Sequence, residues 1–490
     1  MKGRKPAYLG LDVGGTGAKA GVFDREGRLL GFAQRGYTQA TGEAGQAELP
    51  IEVIYQACRD ASREAVNAAG AEILALSVSS QGQTFVSVDE SGRPLHPAII
   101  WYDSRAGEQA RRMNETIRQS GSPDGRLDVS PVSTAPKILW LFENRPEVKN
   151  RARRFFLLPD YISHRLTGKA VFDPVIASTT GFYDESRGEY FQAALDAAGV
   201  ESGQMSLVRQ AGSRIGNILK GPAAEWALSE KTVMAVGTND QLAGALGAGN
   251  CRPGIGSETT GTCLALITLA GVISRPLPPG LITGPFPIPG FRFVLAYCKT
   301  AGLVLEWFRR ELAGGTALAE LDRLAAGVPP GSRGVTVLPH FDGMISPTPD
   351  PGSRGVFFNL NLSHSRVDMY RAILESLAFS LRENLELTES QGLPLETLRS
   401  IGGGARSDLW LQIKADVCGR PIEVPVVREA AVLGAAMLAA AGYGEFESVP
   451  ESSERLYHVK RVFEPNPANR GPYDRAYAKY KRLYHVLFPV

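Results

Sequence analysis

The sequence predicts a mixed α/β protein built from two similar halves. Three observations carry this. The chain opens as strand, glycine turn and strand, then changes to helical spacing and returns to a buried strand. A comparable strand–turn–strand plan starts again near residue 256. The chain has 490 residues, enough for two or three domains with a large core, and its 43% apolar content excludes a disordered polymer.

In the first half, Tyr8–Val13 is short and apolar, and Gly14-Gly15-Thr16-Gly17 is a turn. Lys19–Asp24 resumes the strand pattern, so the pair reads as a hairpin, and Gly27–Phe32 follows as a third strand. From Pro50 to Ala69 the apolar residues Ile51, Ile54, Ala57, Cys58, Ala61 and Ala65 share one helical face, with Pro50 suited to the first turn. Glu72–Ser79 is a buried strand, and Thr232–Val236 another, ending at Gly237 before a small-residue helix.

In the second half, Gly256–Thr262 reads as a polar turn before the strand Cys263–Ile267. Phe291–Tyr297 is a strand and Leu303–Leu312 a helix. A long helix is expected over Val367–Ser390, and a strand enters the glycine turn at Ser400–Gly404. Ser407–Cys418 is a helix, Pro421–Val426 a strand, and Ala430–Ala441 a helix of small residues. The halves suggest a duplicated domain around a cleft, divided near 245–255 into 1–250 and 251–490. Residues 275–290 and 346–355 are Pro/Gly-rich loops, and Tyr473–Tyr484 is expected to be a terminal helix packed on the protein.

Composition excludes several function classes. The net charge of +2, from 53 basic and 51 acidic residues, argues against nucleic acid or an anionic membrane as the main partner. The five cysteines lack C-x-x-C spacing and the six histidines form no metal motif, so reduced thiols in a cytoplasmic protein are expected. The basic stretch 145–154 reads as a solvated face. The N-terminus does not resemble a signal peptide, and no apolar run reaches the ~20 residues of a membrane helix.

Four segments could carry chemistry. In Asp12-Val13-Gly14-Gly15-Thr16-Gly17 the glycines let backbone N–H groups approach an anion, Thr16 adds a hydroxyl, and Asp12 could hold a hydrated Mg²⁺. A glycine hairpin with a surface Asp explains the same residues equally well. Thr259-Thr260-Gly261-Thr262 offers hydroxyls in an equivalent turn, or is an ordinary polar turn. Gly402-Gly403-Gly404-Ala405-Arg406-Ser407 presents bare backbone to an adenine, a ribose or a phosphate, or is a tight strand-to-helix connection. Asp240 stands where strand meets helix and could accept the proton of an attacking hydroxyl. Taken alone, Gly237–Gly249 favours a helix cap by Asn239 or Asp240.

Together these segments resemble the FGGY carbohydrate kinases, over residues 7 to about 445. Thr134–Asn144 is similar to the family's first signature, with Val132 replacing its usual start. Gly355–Phe357 through Asp368–Glu375 is similar to the second, with Asn359 where the family has glycine. Residues 99–106, 158–168 and 402–422 match in pattern. The resemblance implies two ribonuclease H-like (actin-like ATPase) domains with an interdomain cleft, the first binding sugar and the second ATP.

It also implies roles. Asp12, Gly14, Gly15 and Thr16 correspond to the first phosphate motif, with Asp12 at the metal. Thr260, Gly261 and Thr262 correspond to the second, Cys263 replacing its serine. Gly402, Gly403, Gly404 and Ser407 correspond to the adenosine motif. Asp240 corresponds to the catalytic base, and Trp101, Asp103 and Asp160 to sugar contacts. Gln81 and Gln83 lie where xylulokinases have S-G-Q-M-H-G, Gln83 replacing histidine or else facing solvent; Gln241 is similar to the glycerol kinase D-Q pair. The expectation is an ATP- and Mg²⁺-dependent kinase of a ketopentose such as xylulose, or of another ketose or polyol. The rival is a non-catalytic nucleotide switch on the same fold. A small-molecule sugar and ATP are the expected partners, with no nucleic acid or membrane, and a homodimer is admitted.

Overall fold

The computed structural model describes residues 5–42, 45–120, 129–273 and 276–488. Residues 1–4 of the N-terminal stretch and residue 275 of the loop 275–290 lie outside them. Two compact units are formed. The first takes the chain up to Gly247 together with Pro285–Pro289 and Glu429–Leu456; the second takes Ala248–Gly284, Gly290–Arg428 and the chain from Tyr457.

The first unit holds a six-stranded sheet ordered Arg214–Asn217, Val233–Asn239, Glu72–Ser80, Pro6–Val13, Gly17–Phe23, Leu29–Gly36. Pro6–Val13 runs parallel to Glu72–Ser80, which runs parallel to Val233–Asn239, so three strand C-termini share one edge. The expected hairpin pairs antiparallel with Asp12 opposite Lys19.

Glycines set how closely helices meet this sheet. Gly10 and Gly21 are paired across the hairpin and face the helix Ala430–Tyr443; a Cβ on Gly10 would come 1.9 Å from the Val432 carbonyl oxygen. Gly31, on the opposite face, meets the helix Ile51–Ala69 in the same way, 2.2 Å from the Ala65 oxygen. The helix Ala430–Tyr443 is apolar on nearly every side and so must be enclosed on nearly every side. It packs on the sheet and on the helix Asp240–Gly247, where Gly434 and Gly247 remove side chains that would strike Ala243 and Ala430. That burial is why residues 429–456 fold with the first unit, so the units are interleaved rather than the continuous 1–250 and 251–490. A smaller five-stranded sheet, including Ala98–Ile99, Phe85–Val88 and Arg154–Leu157, lies over a second core around Phe85, Ile138, Phe142 and Phe155.

The second unit repeats the plan. Its seven-stranded sheet is ordered Leu281–Pro285, Arg292–Cys298, Leu264–Ala270, Ile255–Thr260, Thr397–Gly402, Ile422–Pro425, Val459–Phe463, with Ile255–Thr260 parallel to Thr397–Gly402. Residues 256–260, expected as a turn, continue a strand, because alternate residues of this polar stretch bond inside the core; the turn itself is Gly261–Cys263. The helices Arg366–Ser390 and Asp408–Cys418 pack together, and the terminal helix Pro467–Leu487 buries Tyr473, Tyr477, Tyr480 and Tyr484 on one face.

Gly10→Ala should destabilise the first unit by roughly 1–3 kcal/mol or more, because backbone cannot yield as a side-chain tip would. Urea unfolding measures this; a midpoint equal to wild type would contradict the close helix–sheet contact.

Candidate active site

The parallel strands bring together residues far apart in the chain. Asp12 and Thr238 are both register partners of Ser79, one on each side, and Val13 and Asn239 both partner Ser80. Gly237 lies against Val78, where a Cβ would be 1.7 Å from the carbonyl oxygen, and the register shifts between Ala235 and Thr238. The strand therefore runs to Asn239 rather than stopping at Gly237. Asp240 then opens the helix Asp240–Gly247 on the same edge as Asp12.

Asn239 and Asp240 share the capping bond at the start of this helix. Asn239 Oδ1 accepts the Gln241 N–H at 3.0 Å, and Asp240 Oδ1 accepts it at 2.8 Å. Asn239 is thus a sufficient cap, and Asp240 keeps its second oxygen for other work. Burial of the carboxyl group, with the negative charge of Asp12, pushes Asp240 up to about 7. Asp12 is also raised, chiefly by burial; the Ser79 hydroxyl donating to it at 2.8 Å and Lys19 oppose the shift, and Glu429 adds to it. An Asp near pKa 7 is matched to general-base chemistry at neutral pH.

The first glycine turn closes with the Gly14 N–H donating to the Gly17 oxygen at 3.0 Å. From a Cβ placed on Gly15, Gln81 Oε1 would lie 3.6 Å away and Trp101 Nε1 3.8 Å. Gln81 is 4% exposed and neither of its amide atoms has a partner, the condition of a side chain awaiting a polar ligand. Trp101 is 42% exposed, and its backbone N–H donates to Thr84 Oγ1 at 2.9 Å. Gln83 stands beside them with a left-handed backbone, φ +55°. Gln241 is exposed in the first turn of its helix, and Thr16 is exposed at the glycine turn.

Two of the expected sugar contacts, Asp103 and Asp160, are fully buried and hydrogen-bonded within the protein. Asp103 is fully buried; its oxygens accept from the Ala47 N–H at 2.6 Å and from Arg105, which also pairs with Glu48. It locks the turn that presents Trp101. Asp160 is fully buried, with Oδ2 accepting from Ser206 Oγ at 2.5 Å and Oδ1 unpaired, and burial pushes it to about 8.

In the second unit, Gly261 and Thr262 are exposed, and their carbonyls accept from Gly302 and Ala301 N–H groups at 3.0 Å, tying the turn to the helix Gly302–Glu311. Thr260 differs from expectation: it is 1% exposed and shares a buried network with Glu258 and Lys414, whose Nζ donates to Glu258 at 2.9 Å and to Thr260 at 3.0 Å. Two of the three consecutive glycines have packing reasons. A Cβ on Gly402 would lie 2.8 Å from the Thr260 oxygen, and one on Gly404 2.7 Å from the Thr260 Cβ. Gly403 is the open one. Ser407 caps the helix Asp408–Cys418 by accepting the Trp410 N–H at 3.1 Å. Beside Gly402 lies an open cavity of about 340 Å³ lined by Ile401, Ala405 and Val424, by the cations Arg406, Arg428, Lys460 and Arg461, and by Asp408, which pairs with Arg461.

Residues 7–247 match the N-terminal domain of the FGGY family of carbohydrate kinases, and residues 259–443 match its C-terminal domain. The chain belongs to the FGGY family of carbohydrate kinases. It is 27% identical over 486 residues to a xylulose kinase of Staphylococcus epidermidis, covering 98% of this chain and 97% of that one. It is 29% identical over 503 residues to an autoinducer-2 kinase of Klebsiella pneumoniae, covering 97% and 93%. Its fold matches a crystal structure described as a xyloylose kinase from Brucella ovis, with a TM-score of 0.87 and 28% identity, over 98% of this chain and 99% of that one. The protein is therefore a sugar-phosphorylating enzyme with the two actin-like ATPase domains of that family. Among the described residues no helix is long and apolar enough to cross a membrane.

Several residues of this FGGY kinase site escaped sequence reasoning. Tyr37 donates to the Gly14 carbonyl and Gln39 to the Gly15 carbonyl, and Tyr102 donates to Gln39. Lys19 pairs with Glu429 at 2.6 Å, beside Asp12. Asp173 accepts from Thr238 at 2.6 Å, bracing the strand two residues before Asp240. The one local signal was the pairing of Lys19 with Asp12 in the hairpin; the other residues are brought in by tertiary folding.

Asp160 supplies a stability test. Its pKa is raised from 3.8 to about 8, so the folded state holds its proton more tightly than the unfolded chain does. Its contribution is therefore lost as pH rises through that window. Asp160→Asn should make the fall in unfolding free energy between pH 5 and pH 8 shallower, read by denaturant titration at both pH values. An unchanged slope would mean that Asp160 is ionised throughout.

Proposed function

We propose that this kinase transfers the γ-phosphoryl group of ATP to a primary hydroxyl of a small neutral sugar, with a ketopentose such as xylulose as the leading candidate and other ketoses or polyols as alternatives. The observation that carries the reading is Asp240: a carboxylate with a pKa near 7, which shares its cap bond with Asn239 through one oxygen only, on the same strand edge as Asp12. In its ionised form Asp240 takes the hydroxyl proton as that oxygen attacks phosphorus. The polar groups around Gly15 and Trp101 are uncharged, namely Gln39, Gln81 and Tyr102, while Arg105 in the same turn is committed to Asp103 and Glu48. Such a lining favours hydroxyls over the carboxylate of an acidic sugar. The names of the xylulose kinase relative and of the Brucella ovis structure agree with a ketopentose; the substitutions Gln83 and Gln241 keep other substrates in view.

The nucleotide is assigned to Gly261 and Thr262, to the open Gly403 and to the cavity beside Gly402, whose cations suit a polyanion. Mg²⁺ fits the chemistry of Asp12: a desolvated carboxylate with one oxygen held by Ser79. Among the described residues no three His, Cys, Asp or Glu side chains converge as a metal cage; Mg²⁺ carried on phosphates needs few protein ligands. When bound, the ion supplies positive charge to the transferring phosphoryl group. The protein's own contribution is to orient the hydroxyl and to receive its proton. A cytoplasmic location completes the reading.

The test is coupled ADP release over a panel of ketoses, polyols and aldoses. One neutral sugar or polyol should stimulate release strongly, and stimulation by none would refute the reading. With the best substrate, kcat should fall below pH 7 as Asp240 gains its proton. Asp240→Asn should retain ATP binding and lose roughly 100-fold or more in kcat, the usual scale for a general base. Near-normal turnover in that variant would remove Asp240 from the chemistry.

A further inference from the structure

Lys137 is among the most completely buried charged residues of the first unit, with 0% exposure, and it has no part in the proton transfer. It lies in the first turns of the helix Thr134–Asn144, above the core of Phe85, Ile138 and Phe155. Its Nζ donates to the carbonyl of Gln83 at 3.1 Å and to that of Ile100 at 3.1 Å. These carbonyls belong to different loops. One loop carries Gln81 and Gln83; the other carries Trp101, the next residue after Ile100.

The strands flanking the two loops pair at Phe85 and Ile99, but beyond that pair the loops themselves share few ties. Trp101 N–H to Thr84 Oγ1 joins them directly, and Thr134 Oγ1 donates to the same Gln83 carbonyl at a long 3.4 Å. Gln83 sits at φ +55°, a conformation a glutamine adopts only when its surroundings hold it there. Burial of an ammonium group is costly unless hydrogen bonds compensate, and a methionine of similar length would fill the same apolar space. Burial lowers Lys137 to about 7, with Asp103 opposing and Arg105 adding. An amine so placed is better explained by what it holds than by what it packs against.

We infer that Lys137 is a positioning residue that clamps the Gln81–Gln83 loop to the Trp101 loop and so sets the width of the sugar site. This rests on the proposal that the two loops receive the sugar. The amine does not touch substrate; it fixes the two backbones from which the contacting side chains project.

Lys137→Met keeps the volume and removes both donors. The first measurement is amide hydrogen exchange on the full chain without substrate. Exchange should speed up in residues 81–85 and 99–104, with the six-stranded sheet of the first unit unchanged. Unchanged protection in both loops would overturn the clamp, and this reading holds whatever the substrate proves to be. The second measurement is steady-state kinetics with the best sugar of the panel. Sugar KM should rise about tenfold or more, with ATP KM within about twofold. Equal rises in both, or neither, would mean that Lys137 serves stability alone. Thr84→Val guards against a variant that fails to fold: it breaks the side-chain tie from Thr84 to the Trp101 loop and should raise sugar KM in the same selective way. If wild type phosphorylates nothing in the panel, the functional reading fails while the exchange experiment still decides the clamp.

Discussion

The close approach of the helix Ala430–Tyr443 to the first sheet is the constraint on which the site depends. Gly10 and Gly21 clear the sheet, Gly434 and Gly247 clear the neighbouring helix, and the backbones meet at distances no side chain would allow. That packing seats the helix Asp240–Gly247, and with it the carboxylate at its start. It also brings Glu429 from late in the chain to Lys19 and to the field of Asp12. One packing requirement thus sets both the position of the candidate base and part of its electrostatic surroundings.

Charge at this edge is tuned mainly by removal of water. Asp12 and Asp240 are raised first by burial and only then by neighbouring charges. Asp173, pushed to about 7 by the same cause, braces Thr238 from below. A sheet edge with several carboxylates out of water is costly to fold, as is common where a site needs groups that titrate near neutral pH. The second unit makes a different choice: Lys414 neutralises Glu258 inside the core, and the turn above them is held by backbone bonds. That turn exposes Gly261 and Thr262, and the cationic cavity beside Gly402 lies in the same unit.

Much of the architecture was legible in the sequence because local rules and global packing agree there. The helix Ile51–Ala69 and the hairpin Pro6–Phe23 follow their periodicity, and the glycine runs mark both turns. Reading failed where a residue's partner lies far along the chain. Asp103 and Asp160 stand in segments that resemble sugar-contacting motifs, yet Arg105 and the Ala47 N–H hold Asp103, and Ser206 holds one oxygen of Asp160. The spacing around Thr260 suits either a phosphate turn or an ordinary polar turn, and only the fold shows that Glu258 and Lys414 enclose its hydroxyl. The three glycines at 402–404 suggested ligand approach, whereas two of them make room for Thr260.

The sequence by itself determined the family, the two-unit α/β plan and the segments that could carry chemistry, since these follow from residue type, order and spacing. Tertiary structure alone decided which polar groups are spoken for. Asp240 could not be told from a cap until Asn239 was seen to be a sufficient cap. Lys137 could not be told from any helical lysine until its two carbonyls were seen. The physical reason is common to both cases. A side chain's availability depends on hydrogen bonds to backbone atoms brought close by folding, and no local pattern encodes those distances.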